Sequence, residues 1–175
     1  MHSLTSAVAA VITDSAGRVL LCQQSQGHRL WCLPGGKIRH AESPMHAAVR
    51  DIREETGLET SVIDLVGIYQ LTGDTCGENM PDALVHVFRA QIDGGEPIIN
   101  SPGRISRLSW HDADSLPQPT TPTARSAIAD AVAGRSGVLR EVHRDAEPEI
   151  PDATDGDAPI PAAAGALATA GEPLS

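Results

Sequence analysis

Apolar positions along the chain fall into short runs separated by turn-forming clusters. Residues 5–13 (TSAVAAVIT) and 18–24 (RVLLCQQ) flank Asp14-Ser15-Ala16-Gly17, and two apolar runs around such a cluster predict a β-hairpin. Trp31-Cys32-Leu33 predicts a short strand that delivers the chain to a glycine turn at Gly35-Gly36. Val62–Leu71 reads as a strand with Gly67 marking a bulge. A polar loop over Gly73–Pro81 follows, then an alternating strand over Ala83–Ile92, a turn at Gly94-Gly95 and a last short strand over Ile105–Trp110.

Two segments carry helix signals. Ser43-Pro44 pairs a favoured N-cap with a proline at the first helical position, and Gly57 supplies a C-terminal stop. Thr121-Pro122 opens a second helix to about Ala133, with Ala124, Ala127, Ile128, Ala131 and Val132 on its apolar face. From residue 145 the chain is Ala, Pro, Gly and acid with almost no bulky apolar side chain. Such a segment cannot offset its ordering entropy by burial, so 145–175 is expected to be a disordered tail behind a domain of residues 1–144.

The first helix carries an unusual stripe. Asp51, Glu54, Glu55 and Leu58 fall at i, i+3, i+4 and i+7, so three carboxylates share one face, while Ala48, Val49 and Ile52 point toward a core. A solvated acidic face with Arg50 and Arg53 as local partners is the plain interpretation. The combination of glycine turn, cap and stripe favours another. Clustered oxygen ligands are what Mg²⁺ takes, usually with waters and substrate phosphates. Glu54 and Glu55 are expected to be exposed.

The stretch Gly36–Leu58 resembles the box of the Nudix hydrolase family, G-x5-E-x7-R-E-U-x-E-E-x-G-U with U a bulky aliphatic. Gly36, Glu42, Arg50, Ile52, Glu54, Glu55, Gly57 and Leu58 are in register, and Asp51 stands where a glutamate is expected. The resemblance implies an α/β fold, an α/β/α sandwich with a mixed β-sheet. It also implies a hydrolase in which water attacks a phosphoanhydride of a nucleoside diphosphate linked to some group X. On this footing Glu54 and Glu55 are the main metal ligands, with the Gly35 carbonyl and Asp51 beside them. Arg50 orients the carboxylates, and Glu42 braces the loop or binds metal through water. The catalytic set is thus Arg50, Asp51, Glu54 and Glu55, with Mg²⁺ as cofactor and Mn²⁺ as a substitute.

Two positions depart from the pattern. Asp51 is one methylene short, which withdraws its carboxylate by roughly 1.5 Å and implies a retuned site that works better with Mn²⁺. Several relatives place a further glutamate six residues before a tryptophan on a late strand. Counting back from Trp110 gives Arg104, and no acid lies between Pro97 and Trp110. Arg104 is then a candidate clamp for a substrate phosphate. Trp31, just before the glycine turn, is a candidate for stacking on a base, with core packing as the alternative. Phe88 and Trp110 are assigned to the core, and His28, His40 and His111 to the surface.

Composition narrows the partners. The formal net charge is −10, but residues 145–175 hold seven acids and no Lys or Arg, leaving 16 acids against 13 bases in residues 1–144. No basic stripe is available to track a nucleic-acid backbone. Three widely spaced cysteines, Cys22, Cys32 and Cys76, predict free thiols rather than a disulfide framework. The apolar run Ala7–Ile12 is too short for a membrane span and lacks a basic leader, so the protein is read as cytoplasmic. The expected partner is a small nucleotide or diphosphate, most simply a nucleoside triphosphate; a homodimer is common among relatives. ADP-ribose or nucleotide-sugar hydrolysis is the rival activity, and a nucleotide sensor with little turnover is the rival class.

Overall fold

Strand β1 (Leu4–Ile12) is apolar on both sides, and the rest of the molecule is layered on it. In the computed structural model, which describes residues 4–73 and 80–144, Val8, Ala10 and Ile12 pack to one side and Ala9 and Val11 to the other. A strand buried on both faces reads as a continuous apolar run, and that is the pattern seen in the sequence. The remaining elements are β2 (Val19–Gln24), β3 (Trp31–Cys32), β4 (Gly35–Lys37), α1 (Pro44–Thr56), β5 (Glu59–Thr72), β6 (Asp82–Gly94), β7 (Ile105–His111), α2 (Pro122–Val132) and β8 (Val138–His143).

They form a five-stranded sheet in the order β4-β1-β6-β5-β8 and a three-stranded sheet in the order β3-β2-β7. The larger sheet is mixed: β1 runs parallel to β6 and β5 parallel to β8, whereas the β1–β4 and β5–β6 pairs are antiparallel. Helix α1 covers one face, where Ala47, Ala48 and Ile52 meet Val8, Ala10, Ile12, Phe88 and Ala90. Helix α2 covers the other, with Ala124, Ala127 and Ile128 against Ala9, Val11, Val87 and Tyr69. The architecture is the expected α/β/α sandwich.

Several local expectations are corrected. The predicted hairpin closes only at its turn, where Asp14 N–H donates to the Arg18 carbonyl and the Asp14 carboxylate accepts the Ala16 and Arg18 amides. Past the bridge at Thr13–Val19 the strands separate, β1 into the large sheet and β2 into the small one. Each is apolar on both faces, so each needs cover on two sides rather than one. The glycine turn is in fact an edge strand, β4, paired with β1. The bulge at Gly67 is present, and a Cβ there would lie 2.5 Å from the Val138 carbonyl oxygen of β8. Strand β8 is absent from the apolar pattern of the sequence, since Val142 is the one buried residue of its six. Val132, assigned to the apolar face of the second helix, is instead 62% exposed at its end. Cys22 and Cys32 are free thiols. The tail 145–175 and most of the Gly73–Pro81 loop lie outside the described residues.

One buried acid joins α2 to the sheet. Asp130, 1% exposed, accepts the Tyr69 hydroxyl from β5 at 2.8 Å, two bonds from Arg140 of β8 at 2.7 and 2.6 Å, and one from Arg135 at 2.8 Å. The Arg140 hydrogen bonds, with those of Arg135 and Tyr69, outweigh burial and hold the carboxyl well below the usual carboxylate range. A depressed carboxyl pKa contributes stability at pH above its unfolded value, and the contribution is lost as pH falls through the folded value. Asp130→Asn is therefore expected to cost about 2 kcal/mol at neutral pH, the scale of a disrupted buried hydrogen-bond network. Urea melts of both chains over a pH series should show the gap narrowing toward strong acid; a gap independent of pH would contradict this account.

Candidate active site

Helix α1 places the acids. Ser43 caps it by accepting the His46 amide at 3.2 Å, and Gly57 ends it in the left-handed region at φ 71°. The axial rotation this fixes turns the acid stripe toward β4, and the stripe is not uniform. Glu54 is 38% exposed at its side chain, whereas Asp51 and Glu55 are only 2% and 3% exposed. The expectation that Glu54 and Glu55 are exposed is corrected for Glu55, and Asp51 is buried with it. Burial of acids on this scale demands partners, and β4 with two arginines, Arg50 and Arg104, supplies them.

Glu55 Oε2 accepts the Gly35 amide at 3.0 Å, and its Oε1 accepts Arg104 Nη2 at 2.9 Å. Arg50 is the hub of the loop–helix junction. It grips Glu42 with Nε and Nη2 at 2.6 and 2.8 Å, while Nη1 reaches Asp51 Oδ1 at 2.8 Å and Glu54 at 3.2 Å. Glu42 also accepts the Arg39 amide, so it braces the loop against the helix. The Arg39 side chain lies across both oxygens of Glu54 at 3.1 Å. The two glycines of β4 leave the room this needs. A Cβ on Gly35 would sit 2.1 Å from the Val8 carbonyl oxygen, and one on Gly36 would sit 3.0 Å from Asp51 Oδ2.

The electrostatics follow from these contacts. The hydrogen bonds from Arg50 draw the Glu42 carboxyl down to about 2 and push the guanidinium further up. Burial raises Asp51, against the pull of Arg50. Burial also raises Glu55 to about 7, although the Gly35 amide and Arg104 oppose it.

Asp51 Oδ2 is buried without a hydrogen-bond partner. With Glu54 and Glu55 alongside, the donors are hard oxygens that suit Mg²⁺ or Mn²⁺, and an unpartnered buried oxygen is what a cation would satisfy. The residues fit a divalent ion. Among the described residues no three acid, His or Cys side chains converge as a ready ligand cluster, and Glu54 and Glu55 are instead paired with guanidinium groups.

Arg104 lies in the turn that leads into β7 rather than within a strand, with its side chain 54% exposed. It borders a cavity of about 380 Å³ lined by Gln24, Ser25, Gln26 and Gly103. Trp31 is 6% exposed in the main core, with its ring 5.0 Å edge-on from that of His111, and it also borders a cavity of about 410 Å³ with Ser106, Arg107, Ser109 and His111. His111 is half-buried rather than on the surface, and burial lowers its pKa. Phe88 is in the core, and Trp110 packs against it partly buried. The sequence reading missed Arg39 and the contact between Arg104 and Glu55. Neither carries a spacing signal, since both arise from loops folding over the helix.

The NUDIX domain model matches residues 3–131, and the chain belongs to the Nudix family of hydrolases acting on acid anhydrides. It is 28% identical over 134 residues to a putative 8-oxo-dGTP diphosphatase of Bacillus subtilis, covering 77% of this chain and 84% of that one. A MutT NUDIX hydrolase structure from Burkholderia pseudomallei superposes with a TM-score of 0.65 at 30% identity, over 73% of this chain and 98% of that one. An ADP-ribose pyrophosphatase structure from Streptococcus suis gives 0.59 at 25% identity, over 78% and 98%.

The packing of Asp51 makes a direct prediction. Asp51→Glu restores the family letter but adds a methylene to a side chain that is only 2% exposed between α1 and β4. Overpacking of this kind costs about 1–3 kcal/mol. The melting temperature is expected to fall by roughly 2–4 °C for each kcal/mol. An unchanged or raised melting temperature in a metal-free thermal scan would show that the pocket has slack.

Proposed function

We propose that this chain is a divalent-metal-dependent pyrophosphohydrolase, carried by residues 1–144, acting on a nucleoside triphosphate or a related nucleoside-diphosphate-X compound. The observation that carries this reading is the unpartnered, buried Asp51 Oδ2 beside Glu54 and Glu55. Asp51, Glu54, Glu55 and the Gly35 carbonyl are the groups that would hold Mg²⁺ or Mn²⁺. Bound there, the ion would neutralise substrate phosphates and lower the pKa of the attacking water.

The protein's own residues then have separable tasks. Arg50 fixes Asp51, Glu54 and Glu42 in one arrangement through charge-assisted bonds. The exposed Arg104 guanidinium, beside an open polar cavity, is placed to meet a phosphate. Water adds to phosphorus, the bridging oxygen leaves with the other fragment, and a triphosphate yields a nucleotide and pyrophosphate or phosphate. The likeness to a putative 8-oxo-dGTP diphosphatase supports small triphosphates as substrates. The likeness to an ADP-ribose pyrophosphatase keeps that substrate in the assay.

A second reading, a nucleotide sensor with little turnover, is favoured by one observation: both Glu55 oxygens are already taken by Gly35 and Arg104. Incubation with Mg²⁺ and a panel of triphosphates, ADP-ribose and nucleotide sugars separates the two, since an enzyme releases phosphate, pyrophosphate or nucleotide and a sensor only binds. For the enzyme, Glu54→Gln and Glu55→Gln are each expected to lower kcat at least a hundredfold, or about 2.7 kcal/mol of transition-state stabilisation. Near wild-type turnover in either variant would remove that residue from the machinery.

A further inference from the structure

Glu55 has one carboxylate oxygen on the Gly35 amide and the other on Arg104 Nη2 at 2.9 Å. Over Gly36, a notional Cβ would lie 3.0 Å from Asp51 Oδ2 and 3.3 Å from Arg104 Nη2, so the guanidinium and the unpartnered Asp51 oxygen border the same small gap. Across the whole acid face four carboxylates (Glu42, Asp51, Glu54, Glu55) meet three guanidinium groups (Arg39, Arg50, Arg104). Arg50 is committed to the loop–helix junction, and Arg39 covers Glu54 from the solvent side. Arg104 reaches the buried Glu55 from the turn that precedes β7, in a segment held to the end of α1 by Asn100 and Ser101.

We infer that Arg104 is a built-in cation that occupies the outer oxygen of Glu55 and so lowers the affinity of the nucleotide-free acid face for divalent metal. This inference rests on the metal-binding reading of the same acids and deepens it. Charge and geometry lead to the same result. A carboxylate oxygen that accepts a guanidinium N–H at 2.9 Å is not free for an ion until the arginine leaves. A fixed positive charge a few ångströms from the gap repels a second one. Because the Arg104 side chain is half exposed, it can leave, and a substrate phosphate at the adjacent cavity is the anion that would draw it away. Nucleotide and metal would then bind cooperatively, because the phosphate removes the competitor for Glu55.

The test is a calorimetric Mn²⁺ titration of the full chain without nucleotide, for wild type, Arg104→Gln and Arg104→Lys. Arg104→Gln is expected to bind Mn²⁺ at least tenfold more tightly than wild type, and Arg104→Lys, which keeps the charge, to stay within a fewfold of wild type. Equal or weaker binding by Arg104→Gln overturns the inference while leaving the metal site standing. Tightening by Arg104→Lys equal to that by Arg104→Gln overturns it as well, since charge would then not be the cause. No Mn²⁺ uptake by any of the three chains overturns the metal reading together with this inference. Far-ultraviolet circular dichroism of each chain checks that the half-exposed position has not cost the fold.

Discussion

The structure turns on the burial of two carboxylates, Asp51 and Glu55, between α1 and the glycine strand β4. An uncompensated acid in that position would be strongly unfavourable, so its neighbours are constrained to be donors or cations. The constraint propagates outward. Glu55 needs a backbone amide at Gly35, which puts β4 on the edge of the sheet against β1. The close approach of β4 to β1 excludes any side chain at Gly35, and the Asp51 carboxylate does nearly the same at Gly36. Arg50 then closes the loop over the helix by holding Glu42 on one side and Asp51 with Glu54 on the other.

The opposite face of the sheet has a parallel solution to a similar problem. Asp130 is buried where α2 meets β5 and β8, and its partners come from three different segments. There the carboxylate is saturated by Tyr69, Arg135 and Arg140, and its pKa is driven down. At the acid face burial dominates, and Asp51 and Glu55 are driven up. A saturated buried acid is a structural fastener. Asp51 differs in keeping one buried oxygen without a partner.

Arginine placement sets how available the site is. Arg50 organises, Arg39 covers Glu54, and Arg104 lies on Glu55 from the rim of the adjacent cavity. Guanidinium groups are fixed charges at any working pH. The acid face is therefore already largely neutralised by the protein's own guanidinium groups.

The resemblance to the family implied the sandwich, and the sequence by itself determined the family box, the two helices with their caps and most of the strands. Those features depend on local rules: spacing along a helix, apolar runs, and the turn chemistry of Ser-Pro, Thr-Pro and Gly. It also placed Arg50, Asp51, Glu54 and Glu55 on one helix, because residues a turn apart share a face. Tertiary structure alone decided which of those acids are buried, since that depends on β4 arriving from elsewhere in the chain. It likewise decided the separation of β1 from β2, the addition of β8 to the sheet edge and the burial of Trp31 in the core. The pairing of Arg104 with Glu55 spans 49 residues and two elements. No local pattern records it, because the contact exists only once the chain between β6 and β7 folds back over the helix that bears the acid.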